Sequence, residues 1–279
     1  MKACAKYVFI VLFALLADTP LSLADDDSSP PDVAAFSQQE LEQMLAPIAL
    51  YPDALLSQVL MASTYPLEIV EAARWSRAHP GLKGEAAVRA VENRSWDPSV
   101  KSLVAFPQLI AMMDEKLEWT ERLGDAFLAQ PSQMMDSVQD LRRRAHAAGT
   151  LRSTDEYRVE QRERIIVVES PRPDVVYVPY YDPYVVYGGW RWAAYPPVYW
   201  APWPGYVHRV GFVGFRWSVG IHIGHGFFFG ACDWPHRHVT VVNVKPFYYP
   251  RAVHHTTVVY RHNVWHHDPH HRRGVHYKH

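Results

Sequence analysis

Histidine is the residue type here best suited to chemistry, and it is unevenly placed. Fourteen of the sixteen histidines follow residue 200. His236-Arg237-His238 precedes a Val-rich run. On a strand, residues two apart face the same side, so these two imidazoles can share one metal ion. The tail adds the pairs His254-His255, His266-His267 and His270-His271, with His262, His276 and His279 as single residues. Neutral imidazole is a good ligand for Zn, Cu or Ni, and Asp233 and Asp268 are available to supplement it. The expected metal-binding set is therefore His236, His238, His254, His255, His266, His267, His270 and His271. Paired histidines are a compositional signal, less specific than a spaced Cys/His finger. A specific site also needs fixed geometry and supporting partners. The competing reading is a solvated tail whose histidines tune charge with pH.

Other candidate groups are weaker. Glu68 and Glu71 have the spacing of paired carboxylates on one helix turn. With Arg74 and Arg77 they read instead as a solvated stripe, acids early and bases late to match the helix dipole. Arg142-Arg143-Arg144 favours the negative end of a helix, and an acidic partner is the alternative. Cys4 lies in the leader and only Cys232 follows, so no internal disulfide is expected in the mature chain. No Ser-His-Asp pattern, phosphate-cradling Gly loop or metalloprotease helix motif is present. No catalytic residue, organic cofactor or nucleic-acid partner is therefore expected, and the formal net charge of -1 agrees.

The elements that must position these groups change character along the chain. Ser37-Gln38-Gln39-Glu40 is a capping box. In LAPIALYPDALLSQVLMASTYPLEIVEAARW, Tyr-Pro occurs twice, and proline suits the first helical position. Leu55, Leu56, Val59 and Leu60 share one helix face, and Ile69, Val70 and Ala73 another. His79-Pro80-Gly81 stops the second helix, with His79 as a cap. Further helices are predicted over 84–93, 97–105, 107–130 with breaks, and 131–148. In the last, Met134, Val138, Leu141, Ala145 and Ala148 form a narrow seam. After residue 153 the pattern becomes β-like over 157–169, 174–179 and 184–188, and GGWRWAAYPPVYWAPWPG is an extended Pro/aromatic stretch.

The first 24 residues, with Lys2 and Lys6, an apolar run and Ser22-Leu23-Ala24, read as a secretory signal peptide. The apolar run is too short to span a bilayer, so cleavage is favoured over anchoring. From residue 25 to 170 there are 24 acidic and 15 basic residues, and from 171 to 279 there are 4 and 11. Twelve of sixteen Tyr and seven of ten Trp follow residue 170. The expected organisation is a signal peptide (1–24), linker (25–36), helical domain (37–150), small β extension (151–190), Pro/Gly/aromatic region with short strands (191–249) and His-rich tail (250–279). The fold class is mainly α: a multi-helix N-terminal domain with a small β extension, then an aromatic, Gly/Pro/His-rich region, partly β and partly disordered. Removing residues 171–279 is expected to leave the helical part folded.

Several stretches resemble one bacterial envelope family, the Domain of Unknown Function 3300. They are the Tyr-Pro stretch above, AFPQLIAMMDEKLEWTERLGDAFLAQ, MMDSVQDLRRRAHAAGTL and VVYVPYYDPYVVYGGW. FFFGACDW followed by HVTVVNV resembles a segment found after that core. The likeness is strong over 36–190 and looser beyond, and its motifs are long and in the same order. It implies an exported, membrane-associated protein with no established activity, and no catalytic residues are carried over.

VGFVGFRWSVGIHIGHGFFFGA, residues 210–231, is long enough to cross a bilayer. Arg216 at its centre costs roughly 2.5–3.5 kcal/mol of insertion energy, against about 0.3–0.6 returned by each apolar residue. Trp217, Val219, Ile221 and Ile223 share one parity, which favours a half-buried strand. The expected function is a non-enzymatic protein of the periplasm or cell envelope, a scaffold or interaction module. Its basic aromatic part would bind an envelope protein, membrane surface or cell-wall polymer. The alternative is a periplasmic metal-binding protein using the C-terminal histidines.

Overall fold

Ser37 and Glu40 close the predicted capping box: Ser37 N–H donates to Glu40 at 3.0 Å, and helix α1 (Gln38–Leu45) follows. The computed structural model describes residues 35–207, 213–242, 248 and 263–277. Residues 1–24, expected to be a leader, and His254 and His255 lie outside the described residues. Proline then sets most helix starts. Pro52 is the N-cap of α2 (Asp53–Ser63), one position earlier than its spacing predicts. Pro66, Pro98, Pro107 and Pro131 sit in the first turns of α3 (Pro66–Ala78), α5 (Pro98–Leu103), α6 (Pro107–Glu115) and α8 (Pro131–Ala147). There the missing N–H costs nothing. Between them lie α4 (Gly84–Ala90) and α7 (Leu117–Ala129). His79 ends α3 as expected: its Nδ1 lies 2.7 Å from the Trp75 carbonyl oxygen and its ring stacks on the indole.

Helix α2 is central, with every residue from Leu55 to Ser63 buried. It packs against α3, α5 and α7. Gly124 permits the α7 crossing, because a Cβ there would run into the Ser63 carbonyl oxygen. The α8 seam is buried through Met134, Val138, Leu141 and Ala145 and faces α1 and α7.

Strands β1 (Arg158–Arg162) and β2 (Ile165–Glu169) form an antiparallel hairpin laid on α2 and α8. The Gln139 side chain satisfies the outer edge of β2, accepting from Ile166 N–H at 2.8 Å and donating to its carbonyl at 3.2 Å. Strands β3 (Val175–Val176) and β4 (Pro179–Tyr181) follow. Residues 184–186, expected as a strand, are instead a helical turn, α9 (Pro183–Val186). Asp182 caps it by accepting from Tyr184 N–H, and Pro183 fixes its first φ.

Residues 213–223 return as β5 (Phe215–Trp217) on β4 and β6 (Ile221–His222) on β3. No helix among the described residues is long and apolar enough to cross a membrane. The strand reading holds for Trp217, Ile221 and Ile223, which are buried, but Val219 is 64% exposed. The parity slips because Gly220 packs on Val175, where a Cβ would come within 2.7 Å of Cγ1. A three-stranded sheet, β7 (Gly230–Asp233), β8 (His238–Val241) and β9 (Asn263–Val264), completes the chain with the turn α10 (Pro269–Arg272).

Buried residues from Phe36 to Tyr248 form one apolar cluster. The aromatic region therefore shares its core with the helices. Tyr187 donates to the Ala46 carbonyl at 2.6 Å, and Trp119 meets Trp200 edge-on at 5.4 Å. A cut at residue 171 would remove these contacts from the helices.

Candidate binding cleft

An open cleft of about 940 Å³ is present among the described residues. It lies between the start of α2, the β1–β2 hairpin and strand β7. Its walls are apolar, with Val168, Val176, Ile223, Phe227 and Phe228 among them, and its rim carries Arg162, Glu163, Glu169 and Asp233. Its size is within the range of small-molecule sites, roughly 300–1,000 Å³.

One buried arginine organises the floor. Arg142 is fully buried and bonds the Asp53 carboxylate at 2.5 Å. It also donates to the carbonyls of Ala49 (2.8 Å), Tyr51 (2.9 Å) and Ile166 (2.8 Å). Its guanidinium lies over the Trp234 ring at 4.8 Å. Asp53 accepts in addition from Trp234 Nε1–H at 2.6 Å and Val168 N–H at 3.4 Å. The Tyr51-Pro52-Asp53 step therefore starts a helix and also supplies ligands to Arg142. Burial pushes the Asp53 carboxyl above its ordinary value, against the pull of Arg142 and Trp234. Cys232 Sγ donates to the Asp53 carbonyl at 3.5 Å, and burial, with Asp53 adding to it, raises the thiol well above its ordinary value. It is thus a protonated thiol, unlike an activated nucleophile. The polar groups of the floor satisfy one another.

Glu68 corrects the expected solvated stripe: it is fully buried, while Glu71 is half-buried. Glu68 accepts from Asp97 N–H at 2.7 Å and lies 2.8 Å from His271 Nδ1. Burial pushes the Asp97 carboxyl up to about 6, against hydrogen bonds from Ser99. Nearby, burial lowers the Lys101 ammonium, whose Nζ donates to the Tyr248 carbonyl at 3.0 Å. Asp125 holds Arg272 in a buried pair at 2.5 Å. The other two arginines of the triplet also serve internal contacts. Arg143 pairs with Asp140, and Arg144 reaches the buried Glu42, which also binds Arg191 and Trp192.

The described histidines of the expected metal set divide between two places. His236, within the β7–β8 turn, and His238, the first residue of β8, both approach Asp233, at 2.9 and 3.7 Å. Against the upward push of burial, His236 holds the Asp233 carboxyl below its ordinary value. His266 and His270 are exposed. His267 stacks on Tyr65 at 5.0 Å, and burial with Arg272 lowers it to about 4. The bond to Glu68 raises His271. Among the described residues, no three His, Cys, Asp or Glu groups are arranged to hold a metal ion.

Spacing carries a signal for two residues missed in the sequence. Arg142 is four residues after Val138 and three before Ala145, which places it beside the buried seam. Glu68 is four before the buried Ala72 and one turn after Tyr65. Nothing local marks Asp125 or Arg272 as partners, since they are 147 residues apart.

The profile of the family described as "Protein of unknown function (DUF3300)" matches residues 37–267. The chain is 45% identical over 234 residues to an uncharacterised protein of Escherichia coli strain K12, YacH, covering 72% of this chain and 38% of that relative. The chain thus spans well under half the length of the relative it matches. No solved structure matches it. The matched span takes in α1 to α9, the cleft and its floor, and the chain belongs to the DUF3300 family of proteins of unknown function.

Proposed function

We propose that this chain is a non-enzymatic binding module of the bacterial cell envelope, exported by its first 24 residues, whose cleft receives an apolar part of an envelope component. The observation that carries this reading is the cleft: apolar walls over a floor whose polar groups are already paired. Such a floor offers no unpaired acid, base or nucleophile for catalysis. It also loses no hydrogen bond when an apolar group covers it. An apolar side chain of an envelope protein, a lipid chain at a membrane surface and the apolar face of a cell-wall polymer are the candidate occupants.

An uncharged naphthylamine dye titrated into the mature chain tests this. Ala231 lines the cleft from β7, and Ala231→Phe fills it. The expected result is saturable dye binding by the native chain, weakened at least about tenfold by a side chain that overlaps the bound ligand. Equal binding by A231F would remove the cleft from the account.

Metal binding through the histidines is the second reading. The concentration of histidines after residue 200 favours it. Metal analysis of untagged protein purified without chelators tests it, and metal retained by a His236→Gln/His238→Gln double variant would count against this pair.

A further inference from the structure

We propose that residues 263–277 are a strap, docked by charge rather than by apolar burial, whose release loosens the β7 wall of the cleft. The inference rests on the reading of that cleft as a binding site.

The strap crosses both the sheet and the helices. At its start, Val264 and Asn263 pair with Thr240 and Val241 of β8, and Trp265 N–H donates to the Val239 carbonyl at 2.8 Å. Strand β8 in turn pairs with β7, which walls the cleft. Further on, the strap reaches the helical layer. Trp265 stacks on Phe127 of α7 at 5.6 Å, and Asp268 N–H donates to the Tyr65 hydroxyl at 3.0 Å. His271 meets Glu68, and Arg273 meets Glu71 at 2.5 Å. Arg272 is inserted deepest, on Asp125 and on the Thr64 carbonyl at 3.3 Å.

The strap has little apolar burial beyond Trp265, which is half-buried against the core. Among residues 263–277 only Arg272 is buried, and Val264 and Tyr277 are exposed. An element with few buried apolar contacts opens locally at lower cost than the core around it. The same segment supplies the outer strand of the cleft-side sheet and that sheet's tie to α3 and α7. Its release therefore leaves β7 and β8 as a two-stranded hairpin, which is a weaker unit than three strands.

Native-state hydrogen exchange on the full mature chain, without ligand, tests the strap directly. The Trp265 and His271 amides are expected to exchange faster than the Leu56 and Ile69 amides, at a rate that does not follow global unfolding. Arg272→Met removes one partner of a buried pair and should speed the strap amides at least about tenfold. It should leave the α2 amides protected and accelerate entry of the uncharged dye. Strap and α2 amides that open together in the native chain would overturn the proposal, whether or not R272M folds. A released strap with unchanged dye entry would overturn its coupling to the cleft. Absence of dye binding in every variant would instead sink the cleft reading and leave the strap result standing.

Discussion

Arg142 and Arg272 make nearly the same set of bonds in two different settings. Each is buried on one carboxylate at 2.5 Å, each donates to three backbone carbonyls, and each lies by an aromatic ring, Trp234 at 4.8 Å and Tyr277 at 4.1 Å. Arg142 is carried by a helix of 17 residues with a buried seam, and it joins α2, α8 and β2. Arg272 is carried by a helix of 4 residues among exposed neighbours. The bonds themselves do not decide what their loss does. The element behind them does: a helix cannot leave the core without unfolding it, and a strap can.

That comparison orders the expected effects. Arg142→Met should be the most damaging, lowering global stability by about 3–5 kcal/mol because it leaves the largely covered Asp53 carboxylate without its counter-charge. Denaturant unfolding measures it, and a loss no larger than that of R272M would break the comparison. Gly124→Ala forces α7 away from the Ser63 carbonyl and should cost about 1–3 kcal/mol by the same measurement. For Arg272→Met the global loss should stay below about 2 kcal/mol, because detachment of the strap limits it. Arg77→Ala removes an exposed partner of Asp114, and a change within about 0.5 kcal/mol is expected.

The pH dependence sharpens the same contrast. Asp97 is raised in the folded chain to about 6 from its ordinary value of 3.8. Between those values the folded state binds more protons than the unfolded state, so this group's contribution to stability falls as pH rises. Asp97→Asn keeps an oxygen for the Ser99 bonds and removes the ionisation. Its stability relative to the native chain should rise from about pH 4 to pH 6 and then level off. A flat difference across that range would contradict the placement of this carboxyl.

Much of the helical half is legible because its signals are local. The capping box, the prolines in first turns and the Leu55–Leu60 face each depend on residues within one or two turns. The strand character of residues 215–222 is legible from alternation and from the cost of Arg216 in a membrane. The ties between halves are not legible in the same way. Glu42 with Arg191 and Asp53 with Trp234 are separated by 149 and 181 residues, and no pattern within either segment announces the other. Tyr184-Val185-Val186 misleads because β-branched residues favour strands, whereas Asp182 and Pro183 start a helical turn. The histidines look like one ligand set in the sequence, yet among the described ones His236 and His238 lie at a sheet turn while His267 and His271 pack on α3 and its N-cap, Tyr65.

The most direct test of the cleft is the indole N–H signal of Trp234, which donates to Asp53 at the cleft floor. In nuclear magnetic resonance of the chain, with Trp234 assigned by a Trp234→Phe variant, the uncharged dye should shift this signal along a saturating curve. The Trp265 signal, on the strap, should move little. A saturable shift at Trp265 or at other tryptophans with Trp234 unmoved would contradict binding in this cleft.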